Sequence, residues 1–161
     1  LAPAPMSKTT RATQSLTRAG IPHGVHAYDY DPEAPRIGLQ AAEAMGVDPG
    51  EVFKTLMALV DGKPVCVLVP SDREVSLKKL AAAFHGKSAA MMRPAEAERL
   101  TGYHVGGISP LGQKRAVPTL VDAVALGLPA IFVNGGQRGL QLRLKPDDLV
   151  RATGARIEAV T

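Results

Sequence analysis

Two runs of apolar and β-branched residues, separated by a short polar turn, constrain this chain more than any other feature. The stretch EVFKTLMALVDGKPVCVLVP contains strand-like runs at positions 52–60 and 65–69, with Asp61-Gly62 between them. Asp-Gly readily adopts the positive φ angles of a tight turn, which matches the twist of the flanking strands. The sequence therefore predicts an antiparallel hairpin, whose faces the rest of the chain has to cover.

Helical and strand patterns alternate along the rest of the chain without a linker or a fixed-period repeat. Some strands are joined by turns and others are separated by helices, which favours a mixed sheet over a doubly wound parallel one. We therefore expect an α/β or α+β domain with surrounding helices, whose sheet can curl into a barrel. The predicted helices are TRATQSLTRAG, GLQAAEAMG, LKKLAAAF ended by Gly86, PAEAERL and KPDDLVRATG, and the other predicted strands are GVHAYDY, AVPTLVD, PAIFVNGG, GLQLRL and ARIEAV.

Length and composition fit one domain without covalent staples. We expect it to span residues 6–161, with the preceding LAPAP as a cloning remnant. A chain of this size buries roughly two-thirds of its unfolded surface. The single cysteine, Cys66, supplies no disulfide framework and lies in an apolar strand, which favours a reducing cytoplasm. No apolar run reaches the roughly 18 residues that span a bilayer, so no membrane partner is expected.

The balance of charge permits a polyanionic partner but does not establish one. Lys and Arg number 19 against 15 Asp and Glu, which gives a formal net charge of +4, and the basic residues are scattered. With no Trp, three Tyr and three Phe, the chain has little from which to build a base-stacking platform. Any RNA contact should therefore depend on backbone charge and on a pocket for one end.

Lys54 is a charged residue within an otherwise apolar strand. Alternation puts it on the face of Leu56, Ala58 and Val60, where an unpaired ammonium is costly. One interpretation is that Lys54 lies near the start of the strand and extends its ammonium to solvent along its apolar stem. The other is that the ammonium stands at the rim of a pocket and binds a phosphate or a polarised carbonyl oxygen. Periodicity alone does not separate the two.

The remaining signals are two glycine-rich loops and the lack of a catalytic constellation. The loops GGISPLG, residues 106–112, and NGGQRG, residues 134–139, allow backbone amides to approach an anion, although ordinary turns explain them too. His23 and His26 have no Cys or carboxylate cluster beside them, so no metal is expected, and no motif indicates a cofactor. Ser109 is followed by Pro110, which excludes a nucleophile elbow. The chain shows no convincing protein nucleophile.

With these pieces in place, the chain resembles the YbaK/EbsC family of aminoacyl-tRNA deacylases. The resemblance rests on HAYDYDP, VFKTL, TGYHVGGISPLGQK and VNGGQRGL, which occur in the family's order and approximate spacing. It implies a compact mixed α/β domain around a curved, barrel-like sheet. It also implies that Lys54 is the functional lysine and that a substrate-binding pocket surrounds it, formed by Tyr28, Ile37, Thr55, Gly106, Gly107, Ser109 and Asn134.

At three positions the chain departs from the family's pattern. Asn134 replaces a small hydroxyl residue, Gln141 replaces an acidic residue, and Ile37 replaces an aromatic residue of the pocket. These changes leave open which amino acid the pocket prefers.

The resemblance implies a trans-editing enzyme that deacylates mischarged tRNA, with Cys-tRNA(Pro) as the expected substrate. Attack by the substrate's own thiol would explain the missing protein nucleophile, with Lys54 anchoring the terminal adenosine. Prolyl-tRNA synthetase is an expected partner, since a domain of modest charge should bind tRNA weakly on its own. Two alternatives stay open: an Ala-tRNA(Pro) deacylase in which water attacks, and a module that binds tRNA or a synthetase without chemistry.

Overall fold

The structure is a computed structural model that describes residues 8–161, so the predicted remnant at residues 1–5 lies outside it. The helices are α1 Arg11–Arg18, α2 Gln40–Met45, α3 Leu77–Ala83, α4 Pro94–Thr101 and α5 Pro146–Thr153. The strands are β1 Gly24–Ala27, β2 Phe53–Val60, β3 Lys63–Pro70, β4 Ala89–Met91, β5 Thr119–Asp122, β6 Ile131–Asn134, β7 Leu140–Leu144 and β8 Arg156–Glu158. Among the described residues, no helix has the length and apolar character needed to cross a bilayer.

The predicted hairpin is confirmed. Strands β2 and β3 pair antiparallel along their whole length, from Phe53 opposite Pro70 to Val60 opposite Lys63. The turn uses positive φ angles at Asp61 (49°) and Gly62 (79°), as the Asp-Gly sequence predicts. The hairpin is the centre of the larger sheet.

The strands form two sheets, which confirms the mixed α/β prediction. The larger sheet has the order β4-β2-β3-β5-β8, with β5 and β8 running parallel to their neighbours and the other pairs antiparallel. The smaller sheet, β1-β7-β6, is antiparallel. A single parallel bridge between Val52 and Phe132 connects the two sheets. In residues 8–161 the strands therefore curve around a shared core without closing into a barrel.

Alternation along β2 distributes its side chains between two cores. Phe53 and Met57 belong to the main cluster, which lies between the sheets and includes Leu142 of β7. Ala58 and Val60 belong to a second cluster on the opposite face, where Leu80 of α3 covers them. Both faces of the hairpin are thus buried, as its apolar composition requires.

Two local details differ from the prediction. Helix α3 ends at Ala83, one residue before the predicted Phe84, and the positive φ angle that follows it is at His85 (57°). Gly86 closes the helix end as predicted, because its N–H donates to the carbonyl oxygen of Ala81 at 2.8 Å, and a Cβ there would also clash with Cγ1 of Val60. The first strand is also shorter than GVHAYDY, since it ends at Ala27.

Candidate active site

A gap in strand pairing creates the main candidate site. One edge of β2 pairs with β3 throughout, whereas the other edge is covered only at its two ends. Phe132 covers the start through its bridge to Val52, and β4 covers the end from Ala58 to Val60. Between them, in residues 54–56, no described strand pairs with this edge. The gap explains how residues from opposite faces of β2 reach the same cavity.

This gap opens into a cavity of about 280 Å³, which we call the Lys54 cavity. Five parts of the chain line it: the start of β2, the residue after β3, the smaller sheet with the segment after β1, the segment leading into α2 with the start of that helix, and the loop after α4. The lining residues are Val52, Phe53, Lys54, Thr55, Leu56, Ser71, Tyr28, Tyr30, Asn134, Gln141, Ile37, Gly38, Ala41, Val105, Gly106 and Ile108. Six residues of the predicted site therefore meet here: Tyr28, Ile37, Lys54, Thr55, Gly106 and Asn134.

Lys54 combines features of both interpretations made from the sequence. Its side chain is 25% exposed, and its Nζ lies 3.2 Å from Oε1 of Glu74, a side chain that is 92% exposed. The ammonium thus reaches the surface along its apolar stem, as a strand lysine should. The same side chain also lines the cavity. Because the pairing carboxylate is almost fully in water, it holds the ammonium weakly and leaves it available to an anionic ligand.

Tyr28 follows the last residue of β1, where its N–H donates to the carbonyl oxygen of Gly139 at 2.9 Å. Burial raises the pKa of the Tyr28 phenol, and the neighbouring Tyr30 adds to the rise. Hydrogen bonding from Gly139 and from the Gln141 side chain lowers the same pKa. The phenol remains neutral near pH 7.

Asn134 joins the two glycine-rich loops. Its Nδ2 donates to the carbonyl oxygen of Gly106 at 3.1 Å. Its Oδ1 accepts from the N–H groups of Gly136 at 2.7 Å and Gln137 at 3.2 Å. Gly106 has a φ angle of 89°, which a residue with a side chain rarely adopts. Asn134 therefore holds the wall of the cavity through backbone groups.

Two residues of the predicted site, Gly107 and Ser109, do not line the cavity. Gly107 packs against the tip of the β6–β7 hairpin, where a Cβ would lie 2.9 Å from the backbone nitrogen of Arg138. Ser109 is 0% exposed, and its hydroxyl accepts from the N–H of Leu111 at 3.2 Å. The structure gives both residues a place in the supporting loop, and their predicted contact with substrate remains a prediction.

Several lining residues were not assigned to the site from the sequence, and the most informative is Gln141, which was noted only as a departure from the family's pattern. Gln141 lies opposite Asn134 in the register of β6 and β7 and is 5% exposed. A signal was present in the sequence. Alternation along GLQLRL separates Gln141 from the apolar residues on either side of it, and the neighbouring strand ends at Asn134, which was already assigned to the pocket. Tyr30 and Val105 come from irregular segments, whose positions depend on tertiary structure.

Other features of the described chain do not compete with this site. A larger cavity, about 500 Å³, lies at the opposite end of the hairpin and is lined by none of the predicted site residues. Within residues 8–161, no three His, Cys, Asp or Glu side chains converge on a point where a metal ion could bind. We prefer the Lys54 cavity because it brings polar groups from distant segments to one place.

Residues 31–152 match the family model described as the aminoacyl-tRNA editing domain. The match covers well over half of the chain, so the chain belongs to the aminoacyl-tRNA editing domain family.

Individual relatives define the branch of this family. A protein of Enterococcus faecalis named as a candidate Cys-tRNA(Pro)/Cys-tRNA(Cys) deacylase, EbsC, is 36% identical over 121 residues, which are 74% of each chain. A proline–tRNA ligase of Acidithiobacillus ferrooxidans is 35% identical over 89 residues, which are 55% of this chain but 16% of the ligase. The crystal structure of a candidate trans-editing enzyme for prolyl-tRNA synthetase is 26% identical, with a TM-score of 0.82 and 94% coverage of both chains. These matches confirm the predicted membership of the YbaK/EbsC family and, with it, the predicted class of enzyme, an aminoacyl-tRNA deacylase.

Proposed function

We propose that this protein is a trans-editing deacylase that hydrolyses mischarged tRNA, with Cys-tRNA(Pro) as its substrate. The observation that carries the proposal is a cavity that contains one lysine and lacks a nucleophile with its base. Among the described residues, the lining includes no His, Cys, Asp or Glu. The name of the Enterococcus faecalis relative, which includes Cys-tRNA(Pro), supports the choice of substrate.

The hydroxyl groups of the cavity are poorly suited to attack an ester. Ser71 already donates its hydroxyl hydrogen to the carbonyl oxygen of Pro49 at 2.8 Å. Thr55 has no histidine or carboxylate in the lining that could take its proton, and a hydroxyl without a base is a weak nucleophile. Cys66 is fully buried in the core, and burial raises the pKa of its thiol to about 12. The nucleophile therefore has to come from the substrate or from water.

A cysteinyl ester carries its own nucleophile. The thiol sulfur attacks the ester carbonyl carbon, the bond from that carbon to the ribose oxygen breaks, and the thiol proton ends on the released ribose hydroxyl. The amino acid leaves as a cyclic thioester, which water then opens to free cysteine. The protein contributes positioning and charge, which are the large terms for a reaction of this kind.

Lys54 anchors the aminoacyl-adenosine end in this proposal. Its ammonium attracts either the terminal phosphate, which is negatively charged, or the carbonyl oxygen of the ester, which carries partial negative charge. The N–H of Gly107 already donates to the carbonyl oxygen of His104 at 2.8 Å, so Gly106 is the member of the glycine pair that orients the ester. Ile37, which is 46% exposed, lies at the mouth, where it can contact the incoming group.

Prolyl-tRNA synthetase is the proposed partner that presents the tRNA. A formal charge of +4 gives limited attraction for a polyanion, so a complex with the synthetase would raise the local concentration of tRNA. A tRNA substrate places the reaction in the cytoplasm. Co-sedimentation of the protein with the synthetase, with and without tRNA(Pro), tests the partner independently of catalysis.

The function is tested with one set of substrates. Release of amino acid is measured from Cys-, Ala- and Pro-charged tRNA(Pro), prepared on the same transcript, under single-turnover conditions. We expect rapid release of cysteine and slow release of alanine and proline. If alanine is released fastest, the thiol mechanism is wrong and water attacks the ester, because an alanyl ester has no thiol. Salt-sensitive tRNA binding with no release from any substrate would instead identify a binding module.

A further inference from the structure

Two residues that line the Lys54 cavity each carry a buried polar atom without a hydrogen-bond partner. These atoms are Oε1 of Gln141 and Oγ1 of Thr55. Most buried polar atoms in folded proteins have a partner, and one that lacks it lowers stability. Gln141 is 5% exposed, so solvent does not satisfy its oxygen. Two such atoms in one cavity indicate that a ligand supplies the missing hydrogen bonds.

The chemistry of these atoms defines what the ligand must offer. The amide oxygen of Gln141 only accepts hydrogen bonds, so its partner must be a donor. The hydroxyl of Thr55 can accept or donate. Two other polar side chains of the lining are already occupied, since Asn134 uses both ends of its amide and Ser71 donates to Pro49. The unpaired oxygen of Gln141 therefore adds free acceptor capacity to a lining whose other free groups, such as the ammonium of Lys54, are donors.

The charge of the lining orients the ligand. Lys54 is a cation, and the described lining includes no carboxylate that could attract a second one. A ligand that carries both an anionic group and an ammonium will place its anion near Lys54. Its ammonium is then directed to neutral acceptors away from Lys54, because like charges repel.

We propose that Gln141 Oε1 and Thr55 Oγ1 bind the free α-ammonium group of the aminoacyl ester. This inference deepens the proposed function and rests on it. The ligands are esters of amino acids with an unmodified amino group. N-acylated esters, such as peptidyl-tRNA and N-formylated tRNA, lose donors and charge at the α-nitrogen and gain bulk there, so the cavity rejects them. Gln141 thereby protects tRNA that carries a nascent chain.

The test uses a stable amide in place of the labile ester. The two probes are 3′-deoxy-3′-(L-alanylamino)adenosine and its N-acetyl derivative, and their binding to the protein of residues 1–161 is measured by isothermal titration calorimetry. A hydrogen bond to a charged group corresponds to about 10- to 100-fold in affinity. We expect the wild type to prefer the free amine by at least about 10-fold on that scale.

Two substitutions separate binding from folding. Gln141→Met keeps the size of the side chain and removes its amide. The ratio of affinities for the free-amine and N-acetyl probes should therefore fall to about 1–3. The substitution removes an unpaired oxygen but also the hydrogen bond to Tyr28, so the two effects oppose each other and the thermal midpoint should stay close to that of the wild type. Gln141→Glu places a carboxylate beside the ammonium and should increase the preference. Gln14→Met is the matched control, since Gln14 is exposed on α1 and does not line the cavity.

The outcomes distinguish this inference from the function on which it rests. Equal binding of both probes by the wild type, or no binding of either, overturns the inference. If Gln141→Met keeps the preference for the free amine over the N-acetyl probe, the inference is also overturned. If Gln141→Met melts at a lower temperature and binds both probes more weakly to the same degree, Gln141 has a structural role and the inference fails. Deacylation of Cys-tRNA(Pro) is measured separately, so the proposed function can stand when this inference fails.

Discussion

Replacement of Lys54 by methionine removes the positive charge of the cavity and keeps most of the apolar stem. The side chain is 25% exposed and its ion pair is with Glu74, which is 92% exposed. Exposed pairs of this kind contribute about 0–1 kcal/mol to stability. For a domain of this size, 1 kcal/mol corresponds to about 2–4 °C in thermal midpoint. We therefore expect Lys54→Met to melt within about 4 °C of the wild type.

The effect on catalysis should be much larger. An electrostatic group aimed at developing charge contributes about 100- to 1,000-fold to kcat. The loss in Lys54→Met should therefore be of about that size when the release of cysteine from tRNA(Pro) is followed under single-turnover conditions. Lys78→Met is the matched control, because Lys78 is exposed on α3 and lines no part of the cavity.

Two results would refute this reasoning. If Lys54→Met released cysteine within about threefold of the wild-type rate, the ammonium would have no electrostatic role in the reaction. If the activity of Lys54→Met decreased only in proportion to the fraction of folded protein, Lys54 would act as a structural residue.

Three further predictions concern the groups around the cavity. Cys66 should resist a thiol reagent at pH 8 until the protein unfolds, because burial raises the pKa of its thiol to about 12 and keeps it protonated. Asn134→Ala should lower the free energy of unfolding by about 1–3 kcal/mol in urea titrations and should reduce deacylation, because backbone groups at both glycine loops lose their partner. Gly107→Ala should cost about 1–3 kcal/mol, since its Cβ would meet backbone atoms at 2.9 Å, whereas Gly127→Ala, with no atom within 4 Å, should be close to neutral.

Each of these has a clear opposite result. Rapid labelling of native Cys66 would mean that the thiol is accessible and returns it to consideration as a nucleophile. Wild-type stability of Asn134→Ala would show that the loops hold their positions without its amide. Equal stability of the two glycine variants would show that the hairpin tip moves easily away from Gly107.

The sequence predicted those parts of the fold that depend on neighbours along the chain. Asp61-Gly62 gave the hairpin because its turn conformation is local. The three-residue strand β4 was missed, because residues 89–91 form a strand only through pairing with the end of β2. Gly86 was correctly assigned to a helix end, but its close packing against Val60, which is distant in sequence, gave no local signal.

The site was predictable in its residue types but not in its geometry. Lys54 stood out because a lysine in an apolar strand is costly, but only the resemblance to the family assigned it to the site, and its partner Glu74 gave no sequence signal. The gap in pairing along β2 depends on where β4 and β6 end, which no local pattern records. The unpaired oxygen of Gln141 becomes visible only when the strands are in register.

The central claim is that the substrate supplies the nucleophile within a cavity that positions it. The most direct measurement compares the wild-type protein on tRNA(Pro) charged with cysteine and with S-methylcysteine, which is similar in shape but lacks the thiol. Intramolecular attack predicts that cysteine is released at least about 100-fold faster. Equal rates of release would contradict the account, because they would require attack by water or by a group of the protein.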